Sequence, residues 1–307
     1  MKIAFCFPGQ GSQDVGMGRA IAEEFPEARA VYEEASDAVG FDVARLCFEG
    51  SLEELTRTEL QQPALVATSI ACLRAVETLG IAPHYVVGHS VGEYSALAAA
   101  SSIAAGEAVA LVRERGEAMA EAARERPGAM AAVLGLEDAI VEELCASIEG
   151  VWPANYNCPG QVVVSGESAA VDRLIEEAAA RGARKTIKLR VSGGFHSPLV
   201  AHAAERLRPA VSKAQWRDPA TPYMSTVSAR LEDAQRIAGL LVEQLTAPVR
   251  FTQAVRGLVK DGVSTFVEIG PGQVLSGLLR RCDRSLRTIS VGDPDSLRRL
   301  EETLSAA

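Results

Sequence analysis

The sequence predicts an α/β protein in which a small domain is inserted into a larger one. Two observations carry this reading. Short β-branched runs alternate with longer amphipathic runs along the 307 residues, the pattern of strands alternating with helices. A compact stretch at about 129–191 breaks that pattern with the order β-α-β-β-α-β, and alternation then resumes. Apolar residues make up 48% and charged residues 23%, with mean hydropathy +0.08, which excludes a disordered chain and supplies ample core.

Each element follows from local signals. Residues 3–7 read as a first strand, ended by the loop Pro8-Gly9-Gln10-Gly11-Ser12-Gln13, and helical segments occupy roughly 17–39. Gln62-Pro63 opens another helix, with proline in its first turn, and Gly80 closes it. Residues 85–87 form a short strand running straight into Gly88-His89-Ser90-Val91-Gly92, and the Ala-rich helices that follow stop at Arg126-Pro127-Gly128. Within the insertion, 130–134 reads as strand and 138–148 as helix. Strands at 151–155 and 161–164 are joined by the turn Cys158-Pro159-Gly160; a helix at 168–181 and a strand at 183–191 complete it. This is the order of a ferredoxin-like (βαββαβ) subdomain, expected at 128–191, with 1–127 and 192–307 forming the larger domain. The last expected strand is 263–269, followed by the turn Gly270-Pro271-Gly272 and further helices.

Composition narrows the function. A net charge of −9 and a pI near 5.2 argue against a protein that coats nucleic acid. The six cysteines (Cys6, Cys47, Cys72, Cys145, Cys158, Cys282) include no Cys-x-x-Cys, so neither a metal site nor a disulfide framework is expected. The apolar run 3–8 is too short for a signal-peptide core, and no stretch reaches ~18 apolar residues, so no membrane span is expected. The expected location is cytoplasmic, with reduced thiols.

Gly88-x-Ser90-x-Gly92 fits a nucleophile elbow, a serine on a tight strand-to-helix turn with a helix N-terminus behind it to favour developing negative charge. A plain glycine-rich turn would carry the same bare pattern. A serine nucleophile needs a base, and the chain has four histidines. His84 lies on the strand before the elbow and His202 in a helical run; both read as surface or packing residues. His89 adjoins Ser90 but should point away along the turn. His196, in Gly193-Gly194-Phe195-His196-Ser197-Pro198, is the base by elimination, with an exposed or helix-capping histidine as its alternative. No acid stands in a loop motif between Ser90 and His196, and a third of the chain follows the histidine, which departs from the Ser, acid, His order of lipases and esterases. A backbone carbonyl can hold Nδ1–H as an acid would.

The loop after the first strand is not a dinucleotide fingerprint: Asp14 stands where the third glycine belongs, and an acid there repels a pyrophosphate. No P-loop exists either. The loop is either a simple turn or a device that aims a backbone N–H at an acyl oxygen beside Ser90, with Val91 N–H as the second donor.

Six motifs in order carry a family resemblance: Pro8-Gly9-Gln10-Gly11-Ser12-Gln13, Gly88-His89-Ser90-Val91-Gly92-Glu93-Tyr94, Arg115-Gly116, Asn155-x-Asn157-x-Pro159-Gly160-Gln161, Gly194-Phe195-His196-Ser197 and Glu268-Ile269-Gly270-Pro271-Gly272. The chain resembles the malonyl-CoA:acyl carrier protein transacylases and the acyltransferase domains of fatty acid and polyketide synthases. That resemblance implies a hydrolase-like α/β core carrying the inserted ferredoxin-like subdomain. It implies Ser90 as nucleophile, His196 as base, the Gln10 and Val91 N–H groups as oxyanion hole and the Gln244 main-chain carbonyl as the group orienting His196. Arg115 is implied to hold the malonyl carboxylate, although by itself it reads as one exposed arginine among Arg113, Arg115 and Arg124. Phe195 and His89 are implied to line the substrate. Malonyl-CoA and a typically acidic acyl carrier protein are the implied partners; no metal or cofactor is called for, and the family is mostly monomeric. Val91 stands where leucine is common, and Gly193-Gly194 where other residues are often seen.

The implied reaction is ping-pong acyl transfer through a malonyl-serine. A serine thioesterase or esterase is the competing class: it would use the same nucleophile but has no need of a fixed arginine facing the acyl group.

Overall fold

The structure, a computed structural model, describes residues 2–305. It holds two sheets. The first half contributes β1 (Lys2–Phe7), α1 (Arg19–Glu24), α2 (Pro26–Val39), α3 (Val43–Glu49), α4 (Leu52–Thr56), α5 (Thr58–Glu77), β2 (Tyr85–Gly88), α6 (Gly92–Ala99) and α7 (Ala105–Glu125). The middle of the chain gives β3 (Ala129–Leu134), α8 (Asp138–Ser147), β4 (Val151–Cys158), β5 (Gln161–Gly166), α9 (Ser168–Ala180) and β6 (Lys185–Lys188). The remainder gives α10 (Ala201–Lys213), β7 (Tyr223–Met224), β8 (Leu231–Glu232), α11 (Ala234–Glu243), α12 (Phe251–Lys260), β9 (Val263–Ile269), α13 (Val274–Cys282), β10 (Arg287–Val291) and α14 (Pro294–Ser305).

The larger sheet runs β10-β9-β1-β2-β7-β8, parallel except for the β7–β8 pair. Its central strand β1 is buried from Ile3 to Phe7, the continuous apolar run that a strand covered on both faces requires. The chain passes from β1 to β2 on one side and returns to β9 on the other, so a crevice opens at the carboxyl ends of β1 and β2. Phe7 is in register with Gly88, and His89 N–H donates to the Phe7 carbonyl at 3.0 Å. The 8–13 loop and the serine turn therefore emerge side by side.

The smaller sheet is antiparallel with order β4-β5-β3-β6, and α8 and α9 pack on it over a separate apolar cluster. Val249 joins it to the rest: Val249 N–H donates to Ala154 O, and Tyr156 N–H to Val249 O, each at 2.8 Å. All six cysteines are free thiols, five of them buried. No helix among the described residues is long and apolar enough to cross a membrane.

Three sequence expectations are corrected. The helix expected to open at Gln62-Pro63 starts at Thr58, leaving Pro63 inside it. Proline there forfeits one backbone bond, but α5 is buried nearly all round, and packing outweighs that loss. Its first turn lies against Gly116 of α7, where an added Cβ would stand 2.8 Å from Thr58 O. The strand expected at 183–191 is regular only over Lys185–Lys188, with the Arg184 and Leu189 N–H groups at its ends still donating to Leu134 O and Met130 O of β3; beyond Leu189 the chain leaves the sheet through Gly193-Gly194, passing so close that a Cβ on Gly128 would meet Gly194 N at 2.8 Å. The strand β10, expected to be helical sequence, completes the edge of the larger sheet, and its alternation Arg-Thr-Ile-Ser-Val suits that half-exposed place.

Candidate active site

Ser90 stands at the end of β2, in a turn that only glycine allows. A Cβ on Gly88 would lie 2.2 Å from Glu93 N, and one on Gly92 2.2 Å from Phe7 O. The turn is thus pressed between the start of α6 and the end of β1, and Ser90 adopts φ 52°, the left-handed region that a non-glycine residue pays strain to enter. His196 does the same at φ 58°. It sits in the short loop between Gly194 and the 3-10 turn Pro198–Val200, pinned by Ser197, whose hydroxyl donates to Gly194 O at 2.6 Å.

The two side chains meet. Ser90 Oγ lies 2.8 Å from His196 Nε2, and His196 Nδ1 lies 2.8 Å from the main-chain carbonyl of Gln244. A carbonyl only accepts, so Nδ1 carries the proton and Nε2 presents its lone pair to the Ser90 hydroxyl. Ser90 is 6% and His196 5% exposed. Burial, and next the Arg115 charge, push the His196 pKa down to about 3, while the Gln244 carbonyl opposes them. The imidazole is neutral throughout the neutral range.

Arg115 lies wholly buried beneath the serine. Its Nη2 donates to Ser90 Oγ at 3.2 Å and to Gln244 Oε1 at 2.9 Å, its Nη1 to Gln62 Oε1 at 2.8 Å, and its Nε has no partner among the described residues. It is not the exposed helical arginine that its neighbours suggested; Arg113 instead pairs with Glu117 at the surface. A guanidinium held by neutral amides keeps its charge unneutralised and its donors aimed at whatever is attached to Oγ.

Gln244 joins several of these groups. Its side-chain Nε2 donates to Ser90 O at 3.1 Å and to Glu93 Oε2. The Gln10 side chain donates to Gln61 Oε1. The backbone N–H groups of Gln10 and Val91 donate no hydrogen bond among the described residues.

His89 corrects one expectation. It does not point away but stands half-buried beside Ser90, with Nε2 held 2.9 Å from Asn157 Oδ1 and its ring edge-on to Phe251 at 5.5 Å. Burial lowers its pKa, so it too is neutral, with its proton on Nε2 facing the amide oxygen. His84 precedes the elbow strand and its Nδ1 accepts from Ile3 N–H; His202 faces Glu125 at the surface.

A cavity of about 90 Å³ opens above the serine, lined by Gln10, His89, Ser90, Met130, Asn155, Leu189, Val191, Phe195 and His196. Its lining combines five polar side chains, the serine and both histidines among them, with the apolar Met130, Leu189, Val191 and Phe195. Arg115 is not among its lining residues; its Nη2 lies 3.2 Å behind Ser90 Oγ. Sequence reasoning missed Gln62, Glu93 and Asn157. Each is a polar residue in an otherwise buried setting, which was the available signal.

An elbow serine bound to a neutral histidine, with an arginine against the serine oxygen, defines a site suited to acyl chemistry. The chain belongs to the acyl transferase domain family, which residues 4–294 match. It is similar to the malonyl CoA-acyl carrier protein transacylase of Bacillus subtilis (strain 168), 45% identical over 99% of this chain and 97% of that one. The malonyl-CoA:acyl carrier protein transacylase of Xanthomonas oryzae pv. oryzae superposes with TM-score 0.94 at 43% identity, over 99% of each chain. A structure of a type II PKS acyl-carrier protein in complex with its malonyl-transacylase matches with TM-score 0.95 at 39% identity, over 99% of this chain and 100% of that one.

Proposed function

We propose that this chain transfers the malonyl group from malonyl-CoA to the phosphopantetheine thiol of an acyl carrier protein through a malonyl ester of Ser90. The observation that carries the reading is the chain of contacts from Gln244 O through His196 to Ser90 Oγ, with Arg115 3.2 Å from that oxygen.

In the first half-reaction Ser90 gives its proton to His196 Nε2 as Oγ attacks the thioester carbonyl. The oxyanion is taken by the free N–H groups of Gln10 and Val91. Collapse breaks the C–S bond, and His196 returns the proton to the departing coenzyme A thiolate. In the second half the carrier's thiol gives its proton to His196 and attacks the ester carbonyl, and the C–O bond breaks to restore Ser90. The Gln244 carbonyl holds the imidazole in the required tautomer throughout.

The malonyl carboxylate is ionised at neutral pH and needs a partner in a site this closed. Arg115, with an unpaired Nε and no neutralising carboxylate in contact, offers one. Phe195, Met130, Leu189 and Val191 restrict water near the ester, which favours transfer over hydrolysis. No step calls for a metal or redox cofactor.

The larger domain is proposed as a hydrolase-like core at 1–127 and 192–307, and the insertion at 128–191 as ferredoxin-like, supported by the antiparallel strand order β4-β5-β3-β6. A cytoplasmic monomer is the matching proposal for its setting.

The test is mass spectrometry of a holo acyl carrier protein mixed with enzyme and malonyl-CoA. Gain of one malonyl group on the carrier thiol, faster than free malonate appears, supports transfer. Release of malonate with an unmodified carrier contradicts it and favours a thioesterase.

A further inference from the structure

Glu93 is the second residue of α6, wholly buried, and takes no part in the reaction as described. Its Oε1 accepts from the Thr226 N–H and lies 3.0 Å from the Thr226 hydroxyl; its Oε2 accepts from Gln244 Nε2. No salt bridge joins it to Arg115 among the described residues. The Gln244 amide stands between them, oxygen toward the guanidinium and nitrogen toward the carboxylate.

We infer that Glu93 is a positioning residue for substrate selection: through the Gln244 amide it fixes where Arg115 presents its donors beside Ser90. This rests on the reading of Arg115 as the partner of the malonyl carboxylate.

The argument is one of hydrogen-bond polarity. A guanidinium is donor-only, and an ionised carboxylate is acceptor-only. A primary amide between them has one satisfying orientation, because the flipped amide would set NH2 against guanidinium and oxygen against carboxylate. Glu93, together with the Ser90 carbonyl, therefore holds the nitrogen end of Gln244 away from Arg115 and its oxygen toward it. Burial raises the Glu93 pKa, and the donors from Thr226, which follows β7, and from Gln244 oppose that shift, as does the α6 N-terminus, and favour the carboxylate as an acceptor. The arrangement also keeps the acid one residue away from the arginine. Direct contact would neutralise the guanidinium and compete with an incoming carboxylate; an intervening amide orients it without doing so. The imidazole is held by the Gln244 main-chain carbonyl, fixed at the C-cap of α11, so the base does not depend on which way the amide points.

The expected consequence is selective. Glu93→Gln takes away the charged acceptor that holds the Gln244 amide nitrogen and so loosens Arg115, a misplacement near the reacting group that costs about 10- to 100-fold in acylation by malonyl-CoA. Acylation by acetyl-CoA, which carries no carboxylate, should change less than about threefold, so the malonyl-to-acetyl ratio of kcat/KM falls.

The experiment measures single-turnover acylation of the full chain with both donors for wild type, Arg115→Ala, Glu93→Gln and Glu93→Asp, with thermal melts alongside. A fallen malonyl-to-acetyl ratio in folded Glu93→Gln supports the inference. Equal losses for both donors in folded Glu93→Gln, or no loss, overturn it. If Glu93→Gln does not fold, Glu93→Asp, which draws the carboxylate back from the Gln244 amide, must show the selective loss, and an unselective loss overturns the inference. Arg115→Ala separates the two readings: equal losses there refute the role of Arg115 itself, whereas a selective loss there without one in Glu93→Gln refutes only Glu93.

Discussion

The main-chain carbonyl of Gln244 lies 2.8 Å from Nδ1 of His196, at the place where an acid stands in a Ser-His-Asp arrangement. A neutral carbonyl orients the ring without stabilising the imidazolium as a carboxylate would. With burial and Arg115 acting in the same direction, the base is weak and remains unprotonated far into acid.

That sets the pH dependence. A histidine lowered to about 3 stays in its reactive neutral form as pH falls through the ordinary range near 6.5. Acylation kcat/KM should therefore be flat from about pH 6 to 8, with no half-loss near 6.5. The same shift has a stability consequence with a definite sign. The unfolded chain takes up a proton that the folded chain refuses, so the contribution is complete above about 6.5 and is lost as pH falls toward about 3. Pre-steady-state rates across pH, with melts at each point, check both; a titration at 6.5 in the rate would contradict this account of the base.

Arg115 should separate substrates by charge. Arg115→Ala leaves the malonyl carboxylate desolvated and unpaired, a loss of about 2–5 kcal/mol, or ~30- to several-thousand-fold in acylation. Acetyl-CoA should lose far less, because it has no carboxylate to strand and His196 is relieved of a neighbouring positive charge. Arg115→Lys should not restore malonyl transfer, since an ammonium cannot reproduce a planar fork held by Gln62 and Gln244. Equal losses for both donors would make Arg115 a structural residue.

Phe195 governs the room beside the acyl group. It is buried, lines the cavity next to His196, and its ring is confined by Gly193, where a Cβ would stand 3.2 Å from Cε1. An added methyl on the malonyl α-carbon has little space. Since one methyl is worth only ~1–3 kcal/mol, Phe195→Ser should relax the malonyl preference over methylmalonyl partially rather than invert it. An unchanged ratio of kcat/KM for the two donors would remove Phe195 from selectivity.

Carrier binding has a candidate surface beside the same loop. Leu189 and Val191 line the cavity, while Lys188 and Arg190 are exposed next to them. Lys188 already pairs with Asp172 at 2.6 Å, an exposed contact of small energetic worth. Lys188→Glu with Arg190→Glu should raise KM for an acidic carrier and flatten its salt dependence, leaving acylation by malonyl-CoA near normal. If reversal at Arg280 and Arg281 does this instead, the carrier docks at the C-terminal patch.

Local chemistry was legible in the sequence, and tertiary chemistry was not. The elbow declares itself because glycine spacing is a local steric demand, and His196 followed by elimination among four histidines. Arg115 was readable on closer inspection: Ala108, Val112, Arg115, Met119 and Ala122 recur at helical spacing and are all buried, so an arginine on the apolar stripe signals a function. The roles of Gln62, Glu93 and Asn157 depend on partners 53, 151 and 68 residues away, which no local pattern encodes. In the fold, long periodic elements were found, whereas the two-residue strands β7 and β8 offered no period to read.

The central claim is that Ser90 carries the acyl group, and single-turnover trapping tests it most directly. The enzyme is mixed with malonyl-CoA without a carrier, quenched in acid, digested and mapped by mass spectrometry. The account predicts one malonyl group on the peptide containing Ser90, absent in Ser90→Ala and discharged when a holo carrier is added before the quench. A malonyl-enzyme that still forms in Ser90→Ala, or an adduct on any other residue, would contradict it.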